Sequence, residues 1–277
     1  MGNVGDDPQH DDLQHRVEAG VAWIVLNRPD AANAITPDQR DRIIDILDAA
    51  SSDLVVRSVV ITAEGKHFCT GADLRAPRQE PARPEGAPQR PAGSVARMIA
   101  TGAQRLIAAV LDCEKPVIAA VNGTAAGIGA HLAFACDLVI AAEEAKFIEV
   151  FVRRGIVADG GGAYLLPRLV GLQKAKELLF FGDDVPAHEA ERIGLVNRVV
   201  PRADVTTVAR EWAQRLAAGP TVALTLTKRL VNRSLESDRT TAFADEAMAQ
   251  EVAMTSADAN EGVAAFVERR APEFRGW

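Results

Sequence analysis

The chain has 277 residues, a length that suits one large domain or two small ones. A chain of this size buries roughly 75% of its unfolded surface, so its fold needs no disulfide or metal to be stable. Hydrophobic residues make up 48% and charged residues 25%, and 31 basic against 38 acidic side chains give a net charge of −7. This composition is typical of a globular protein, and the acidic balance argues against general binding to nucleic acids or anionic membranes.

Signatures of several protein classes are absent from the sequence. No stretch of ~20 apolar residues is available to cross a membrane, and the acidic, polar start resembles neither a secretory signal nor a transit peptide. No P-loop, His-Glu-x-x-His or paired Cys-x-x-Cys motif occurs, and Gly127-Ile128-Gly129 lacks the third glycine of a dinucleotide fingerprint. Three widely spaced cysteines, Cys69, Cys113 and Cys136, are typical of a reduced protein. We therefore expect a cytoplasmic protein without a metal, and without nucleic acids or membranes as partners.

Alternating strand and helix patterns begin near the amino end. Residues 15–27 predict a β-hairpin, and Thr36, Pro37 and Gln39 together form the start signal of an amphipathic helix. Buried strands are predicted at residues 54–62, 115–121 and 137–141. This alternation is typical of an α/β core.

Shifts in composition predict the domain organisation. Residues 1–14 are expected to form a disordered tail, and residues 15–200 an α/β core. Five prolines between residues 76 and 94 predict a mobile surface loop within that core. From residue 201 to residue 277 the pattern is helical, which predicts a region that packs on the core or on a neighbouring subunit. The helices predicted there cover residues 203–217, 221–235, 241–254 and 260–270.

Two turns rich in glycine and other small residues follow strands, at residues 65–74 and 121–131. Small residues let a ligand approach the main chain, and the first turn of a helix points free N–H groups at it. Two such N–H groups that converge on one oxygen would form an oxyanion hole. The alternative is that both are tight turns that bind no ligand, which is the more common case for glycine-rich turns in general.

These turns and their neighbours resemble the enoyl-CoA hydratase/isomerase (crotonase) superfamily over nearly the whole chain after residue 14. The motifs that carry the resemblance occur in the family's order and are Leu26-Asn27-Arg28-Pro29, Gly71-Ala72-Asp73-Leu74, Lys115-Pro116-Val117-Ile118-Ala119-Ala120-Val121-Asn122-Gly123, Ala135-Cys136-Asp137, Leu166-Pro167-Arg168-Leu169-Val170-Gly171 and residues 190–195 and 261–274. The resemblance implies an α/β fold of the crotonase (ClpP-like) type, a spiral of ββα units with a helical C-terminal trimerisation region. It also implies self-association as a homotrimer or as a hexamer of two trimers.

The same resemblance implies an acyl-CoA thioester as substrate, so coenzyme A is part of the substrate and no further cofactor is expected. The thioester oxygen would accept hydrogen bonds from the backbone N–H groups of Ala72 and Ile128. The positions expected to border the substrate are Ala72, Asp73, Leu74, Arg75, Gly127 and Phe151.

The catalytic positions depart from those of family hydratases, which use two glutamates. The corresponding residues here are His131 and Phe151, and neither can act as one of a pair of carboxylates that deprotonates a water and protonates the α-carbon. Asp159, followed by three glycines, lies where several family branches keep a catalytic aspartate. One such branch, 1,2-epoxyphenylacetyl-CoA isomerase, also lacks both glutamates and is the most similar in pattern. Asp159 is therefore the predicted acid/base, the alternative being a cap on the following helix.

Burial beside Phe151, Ile156 and Val157 is expected to raise the pKa of Asp159 towards that of a useful base. His131 either assists proton transfer or has a structural role, as a helix cap or a partner of a backbone carbonyl. We favour the structural role and keep His131 among the catalytic candidates. The sequence thus predicts an acyl-CoA isomerase. The alternatives are an enoyl-CoA hydratase that uses Asp159 and His131, and a non-catalytic protein that binds CoA esters or acts as a scaffold.

Overall fold

A computed structural model describes residues 12–77, 82 and 84–277. The chain enters through the predicted hairpin, formed by strands β1 (Leu13–Glu18) and β2 (Val21–Leu26) in antiparallel register. Ala19 and Gly20 link them, both with positive φ, as a two-residue hairpin turn requires. Of the predicted tail, residues 1–11 lie outside the described residues. Its last two residues belong to β1, so the boundary at residue 14 was placed too late.

The described part of the chain contains ten strands and eleven α-helices. The remaining strands are β3 (Ser58–Ala63), β4 (His67–Cys69), β5 (Val117–Val121), β6 (Thr124–Ala126), β7 (Leu138–Ala142), β8 (Lys146–Ile148), β9 (Asp184–Pro186) and β10 (Arg198–Val200). The helices are α1 (Pro37–Ser52), α2 (Ser94–Ile99), α3 (Arg105–Asp112), α4 (Ile128–Ala135), α5 (Gly162–Val170), α6 (Leu172–Phe181), α7 (Ala187–Arg192), α8 (Val205–Ala217), α9 (Thr221–Ser234), α10 (Arg239–Met254) and α11 (Ala257–Glu268).

The ten strands form two sheets, and from β3 to β8 consecutive strands alternate between them. One sheet has six strands in the order β1-β2-β3-β5-β7-β10, and the other has four in the order β4-β6-β8-β9. From β2 to β10 the large sheet is parallel, and β4, β6 and β8 are parallel in the small one. Each turn of the chain therefore repeats a ββα unit. The parallel order places the carboxyl ends of β4, β6 and β8 at one edge, which is where ligands bind in such sheets.

Apolar patterning explains the central strands. Every residue of β2, β3 and β5 is buried, as expected for parallel strands that are covered on both faces. The buried strand predicted at residues 54–62 was wrong in its first half, because Leu54 and Val55 are exposed and β3 starts at Ser58. Helix α1 begins as predicted, since the Thr36 side chain accepts from the Gln39 amide and the Gln39 side chain accepts from the Thr36 amide.

The proline-rich segment contains no helix or strand from residue 84 to residue 93, and α2 follows it. Residues 78–81 and 83 of the predicted loop at 76–94 lie outside the described residues. No helix in the part of the chain that the structure describes is long and apolar enough to span a membrane.

The helices after residue 200 differ in how they relate to the core. Helix α8 packs against β3, β5 and β7, which agrees with the prediction that this region packs on the core. Helices α10 and α11 present exposed apolar side chains, including Phe243, Met248 and Phe266. The predicted oligomerisation through this region stays a prediction.

A buried ion pair attaches α9 to the core. The Lys228 ammonium group lies 2.9 Å from the Asp137 carboxylate and donates to the backbone oxygens of Val110 and Lys115. Burial raises the pKa of Asp137, and the Lys228 charge opposes that rise. Asp137 in turn accepts from the Val117 amide at the start of β5, so one contact connects α9, α3 and β5.

We predict that Lys228→Met lowers the free energy of unfolding by about 3–5 kcal/mol, because it leaves a buried carboxylate without its cation. The matched control is Lys146→Met, since Lys146 pairs with Asp184 on the surface, where such a pair contributes about 0–1 kcal/mol. Urea unfolding of both variants at one protein concentration measures the difference. Equal losses would contradict a structural role for the buried pair.

Candidate active site

The two glycine-rich turns lie side by side because they follow neighbouring strands. Strand β4 pairs with β6 in parallel, with Cys69 opposite Ala125, so the turns after them occupy the same edge. A Cβ atom added to Gly71 would lie 3.3 Å from the Ala126 oxygen, and one on Gly129 would collide with the Cys69 main chain and side chain. Only residues without a side chain allow this approach.

The backbone amides of Ala72 and Ile128 are free to bind a ligand. Ile35 donates to the Gly71 oxygen and accepts from the Asp73 amide, a pattern that leaves the Ala72 N–H without an acceptor among the described residues. Ile128 is the first residue of α4, and the first amides of a helix have no partner within it. Gly127 precedes it with φ of +54°, and a Cβ atom added to Gly127 would lie 3.2 Å from Val150 and 3.7 Å from Phe151. The predicted oxyanion hole stays a prediction, and neither N–H group has an acceptor among the described residues.

An ion pair supports the turn that carries Ala72. The Arg28 guanidinium donates to the Asp73 carboxylate at 3.0 Å and to the Ala34 oxygen at 2.8 Å. The other Asp73 oxygen accepts from the Arg75 amide, and this bond is the largest cause of the lowered pKa of Asp73. Asp73 thus holds the turn together, while Leu74 and Arg75 are exposed on its outer side. Their predicted contact with substrate stays a prediction.

Asp159 lies in the segment that leads into α5 and is half-buried. Burial raises its pKa, as predicted, and the positive charge of His131 opposes this rise. Ile156 and Val157 are exposed, by 54% and 85%, so the expectation that they shield the carboxyl was wrong. The alternative role as a helix cap is wrong too, because the cap of α5 is Gly161 in a left-handed conformation without a side-chain bond.

His131, in the first turn of α4, is completely buried and pairs with a buried carboxylate. Its Nε2 atom lies 3.0 Å and 3.2 Å from the two oxygens of Glu149, whose exposure is 4%. Its ring stacks on that of Phe151, with centroids 5.2 Å apart and planes 12° apart. The favoured structural roles, a helix cap or a bond to a backbone carbonyl, were therefore wrong. The Nδ1 atom has no partner among the described residues.

Glu149 is a residue that the sequence analysis missed. It comes directly after β8, between Ile148 and Val150, and is the single charged residue from Phe147 to Val152. That isolation is the available signal, since a charge within an apolar run is buried only when it has a partner. His131 and Phe151, at the positions of the family's glutamates, are its neighbours, since His131 bonds to Glu149 and Phe151 stacks on His131.

The glycines after Asp159 pack directly on the His131 ring. A Cβ atom on Gly160 would collide with Ile128 and lie 3.7 Å from His131 Nδ1, and one on Gly162 would lie 2.5 Å from Cε1 of the same ring. Gly160 has φ of +57°. The segment that carries Asp159 therefore lies against both His131 and Ile128, and the structure brings the three candidates together.

Comparison with known proteins decides the family. A sequence model described as enoyl-CoA hydratase/isomerase matches residues 16–276. The chain belongs to this family. The 1,2-epoxyphenylacetyl-CoA isomerase of Escherichia coli is 35% identical over 264 residues, which cover 95% of this chain and 98% of that protein. The crotonyl-CoA hydratase of Syntrophomonas wolfei is 37% identical, and the match covers 93% of this chain and 95% of that protein.

Solved structures confirm the fold class predicted from the resemblance. An enoyl-CoA hydratase from Bacillus anthracis superposes with a TM-score of 0.86 at 32% identity, covering 96% of this chain and all of that one. The crotonase spiral is thus confirmed. Enzymes of the enoyl-CoA hydratase/isomerase family act on acyl-CoA thioesters, and the relatives' names include both hydratases and isomerases.

We predict that Gly162→Ala lowers the free energy of unfolding by about 1–3 kcal/mol, because the added methyl group must displace the His131 ring. Gly262→Ala is the control, since it lies within α11 and its added methyl group would make an ordinary contact with Phe274, 3.4 Å away. That change should be neutral or stabilising, as glycine-to-alanine changes in helices are. Thermal and urea unfolding compare the two. A Gly162 variant as stable as the control would contradict the close packing of this segment on His131.

Proposed function

We propose that the protein is an enoyl-CoA isomerase in which Asp159 moves a proton between two carbons of an acyl-CoA thioester. The observation that carries the proposal is the half-buried Asp159 carboxyl with its raised pKa, in a segment whose next residue, Gly160, packs against Ile128. The two positions where family hydratases keep glutamates hold His131 and Phe151. Among the described residues at the site, Asp159 is therefore the one carboxyl that can act as a base and is not already paired.

The backbone amides of Ala72 and Ile128 supply the stabilisation that Asp159 needs. A proton next to a thioester is too weakly acidic for a carboxylate with a pKa near the reference value of about 3.9. Two N–H donors on the thioester oxygen stabilise the enolate, and one such donor is worth about 2.7–4 kcal/mol in a comparable site. Burial of Asp159 adds to this effect because it makes the carboxylate a stronger base.

The proton transfer is balanced within the substrate. With a 3-enoyl-CoA, the Asp159 carboxylate takes a proton from C2, and the electrons of that bond delocalise onto the thioester oxygen and C4. The protonated Asp159 then returns a proton to C4, and the double bond lies between C2 and C3. No electron leaves the substrate, so the reaction needs no cofactor besides the coenzyme A that the substrate carries. With an epoxide at C3–C4, the same first step would form the C2–C3 double bond as the C3–O bond breaks, and the protonated Asp159 would return its proton to the released oxygen on C4.

The buried Glu149–His131 pair favours isomerisation over hydration. Hydration requires one group to orient and deprotonate a water and another to protonate the α-carbon. Glu149 is buried and bonded to His131, so it is not available to bind a water as the family's glutamates do. Hydration of a 2-enoyl-CoA by Asp159 and His131 remains the second candidate, because relatives of similar identity are named hydratases.

We also propose a cytoplasmic location and self-association as a homotrimer or hexamer. Three free, buried cysteines (Cys69, Cys113 and Cys136) fit a reducing compartment. The exposed apolar side chains of α10 and α11 fit a surface that is covered by another copy of the chain.

We predict that Asp159→Asn lowers kcat for isomerisation by roughly 10²–10⁴-fold, because the amide cannot accept the proton. Affinity for the CoA ester should change little, since the thioester is bound by backbone groups. NMR of a 3-enoyl-CoA in D₂O measures double-bond migration together with deuterium exchange, and calorimetry measures binding. Asp204→Asn, an exposed residue that makes no side-chain cap, is the matched control.

Three other results would each count against this function. Full activity of the Asp159 variant would show that another group is the base. Conversion of a 2-enoyl-CoA into a 3-hydroxyacyl-CoA by the wild-type protein, without double-bond migration, would favour the hydratase. Tight binding of both esters without turnover would favour a non-catalytic binding protein.

A further inference from the structure

The pairing of His131 with Glu149 fixes where the imidazole carries its protons. Both side chains are buried, and His131 Nε2 is the one hydrogen-bond partner of the Glu149 carboxylate among the described residues. A buried charge without a counter-charge is unfavourable, and on that ground we take the pair to be net neutral.

A net-neutral pair has two arrangements of its protons. In the first, Glu149 is ionised and the imidazole carries protons on both nitrogens. In the second, Glu149 holds its proton and donates it to Nε2, which leaves the single imidazole proton on Nδ1. Both arrangements place a hydrogen on Nδ1. His131 therefore presents an N–H donor at the atom that has no partner within the described part of the chain.

The Nδ1 atom faces the segment that carries Asp159. A Cβ atom on Gly160, the next residue, would lie 3.7 Å from it. The His131 charge acts on the Asp159 carboxyl, and it is the one ionisable side chain among the described residues whose charge does so. The other groups around the ring are Phe151, Ile128 and Gly162, none of which is ionisable.

We propose that Glu149 and His131 form a positioning unit for Asp159, in which Glu149 fixes the imidazole so that its Nδ1–H is offered to the Asp159 carboxylate. The unit stabilises the anionic form of Asp159 that removes the proton. This inference rests on the proposed function of Asp159. His131 and Glu149 do not touch the substrate in this role. Position 131, where family hydratases keep a catalytic glutamate, here supports Asp159 instead.

The direction of the pH effect follows from the two influences on Asp159. Burial raises its pKa and the His131 charge lowers it, so removal of His131 leaves the rise from burial unopposed. Because Asp159 acts as a base, activity is lost as the pH falls through its pKa. Variants without the imidazole should therefore lose activity at a higher pH than the wild-type protein does.

The test compares pH profiles of kcat/KM for a 3-enoyl-CoA between pH 5 and pH 9. His131→Phe keeps a ring that can stack on Phe151, and His131→Phe/Glu149→Leu also removes the carboxylate that would otherwise be buried alone. We expect the acidic limb to move to higher pH in both, with at least about a tenfold loss at the acidic end relative to the alkaline end. Lys228→Met is the control for destabilisation, because Lys228 contacts neither Asp159 nor His131. The acidic limb of its pH profile should match that of the wild-type protein.

Two NMR measurements test the positioning unit without relying on turnover. In ¹⁵N NMR of the wild-type protein, the Nδ1 of His131 should show the shift of a protonated nitrogen, with the signal assigned by its loss in His131→Phe. In ¹³C NMR, the Asp159 carboxyl should titrate at higher pH in His131→Phe than in the wild-type protein. An unprotonated Nδ1, or an unmoved Asp159 titration, would overturn the positioning unit.

The outcomes separate this inference from the function on which it rests. If the wild-type protein isomerises the ester and Asp159→Asn does not, the proposed function stands. An unchanged acidic limb in both His131 variants then refutes the positioning unit alone. If Asp159→Asn is fully active, the proposed function fails, whatever the His131 variants show.

Discussion

The imidazole of His131 is the fixed object around which the candidate active site is arranged. Phe151 covers one face of the ring, Glu149 binds its Nε2 edge, and the glycines after Asp159 lie against the remaining surface. Because the ring is completely buried, these neighbours pack closely around it and have little freedom to move. The segment that carries Asp159 is therefore packed against His131, whose Nδ1 atom has no hydrogen-bond partner among the described residues. We therefore expect a substitution at Phe151 or Glu149 to shift the His131 ring and, through it, the segment that carries Asp159.

Sheet topology supplies the second half of the site, independently of this ring. The parallel pairing of β4 with β6 places the Gly71 turn beside the start of α4, so the free amides of Ala72 and Ile128 are set by backbone hydrogen bonds. Ile128 belongs to both halves, because its amide begins α4 and its side chain supports Gly160. The segment that carries Asp159 thus lies next to the start of α4, which carries the Ile128 amide, even though the two are distant in the sequence.

Local patterns in the sequence predicted the features that depend on neighbouring residues. The hairpin, the Thr36 cap and the two glycine turns follow from turn chemistry and from residues a few positions apart, and the order of motifs predicted the family. The isolated charge of Glu149 was a local signal, but its partner could not be found in this way, since His131 lies 18 positions earlier. The same reason explains the wrong structural roles given to His131 and the helix cap that was the alternative role for Asp159. An aspartate before glycines suits a helix cap, but here Gly161 enters the left-handed conformation and begins α5 itself.

The Glu149–His131 pair bears on why the family's two glutamates could be lost together. A glutamate at position 131 would meet Glu149 in a buried space, and two carboxylates there would force one to keep its proton. Histidine instead allows a neutral pair in which the proton on Nδ1 remains available. Phe151 then fits the second position, because a stacked apolar ring keeps water away from that pair and strengthens its hydrogen bond. The three residues are thus mutually dependent, and together they leave Asp159 as the carboxyl that can exchange a proton with a substrate.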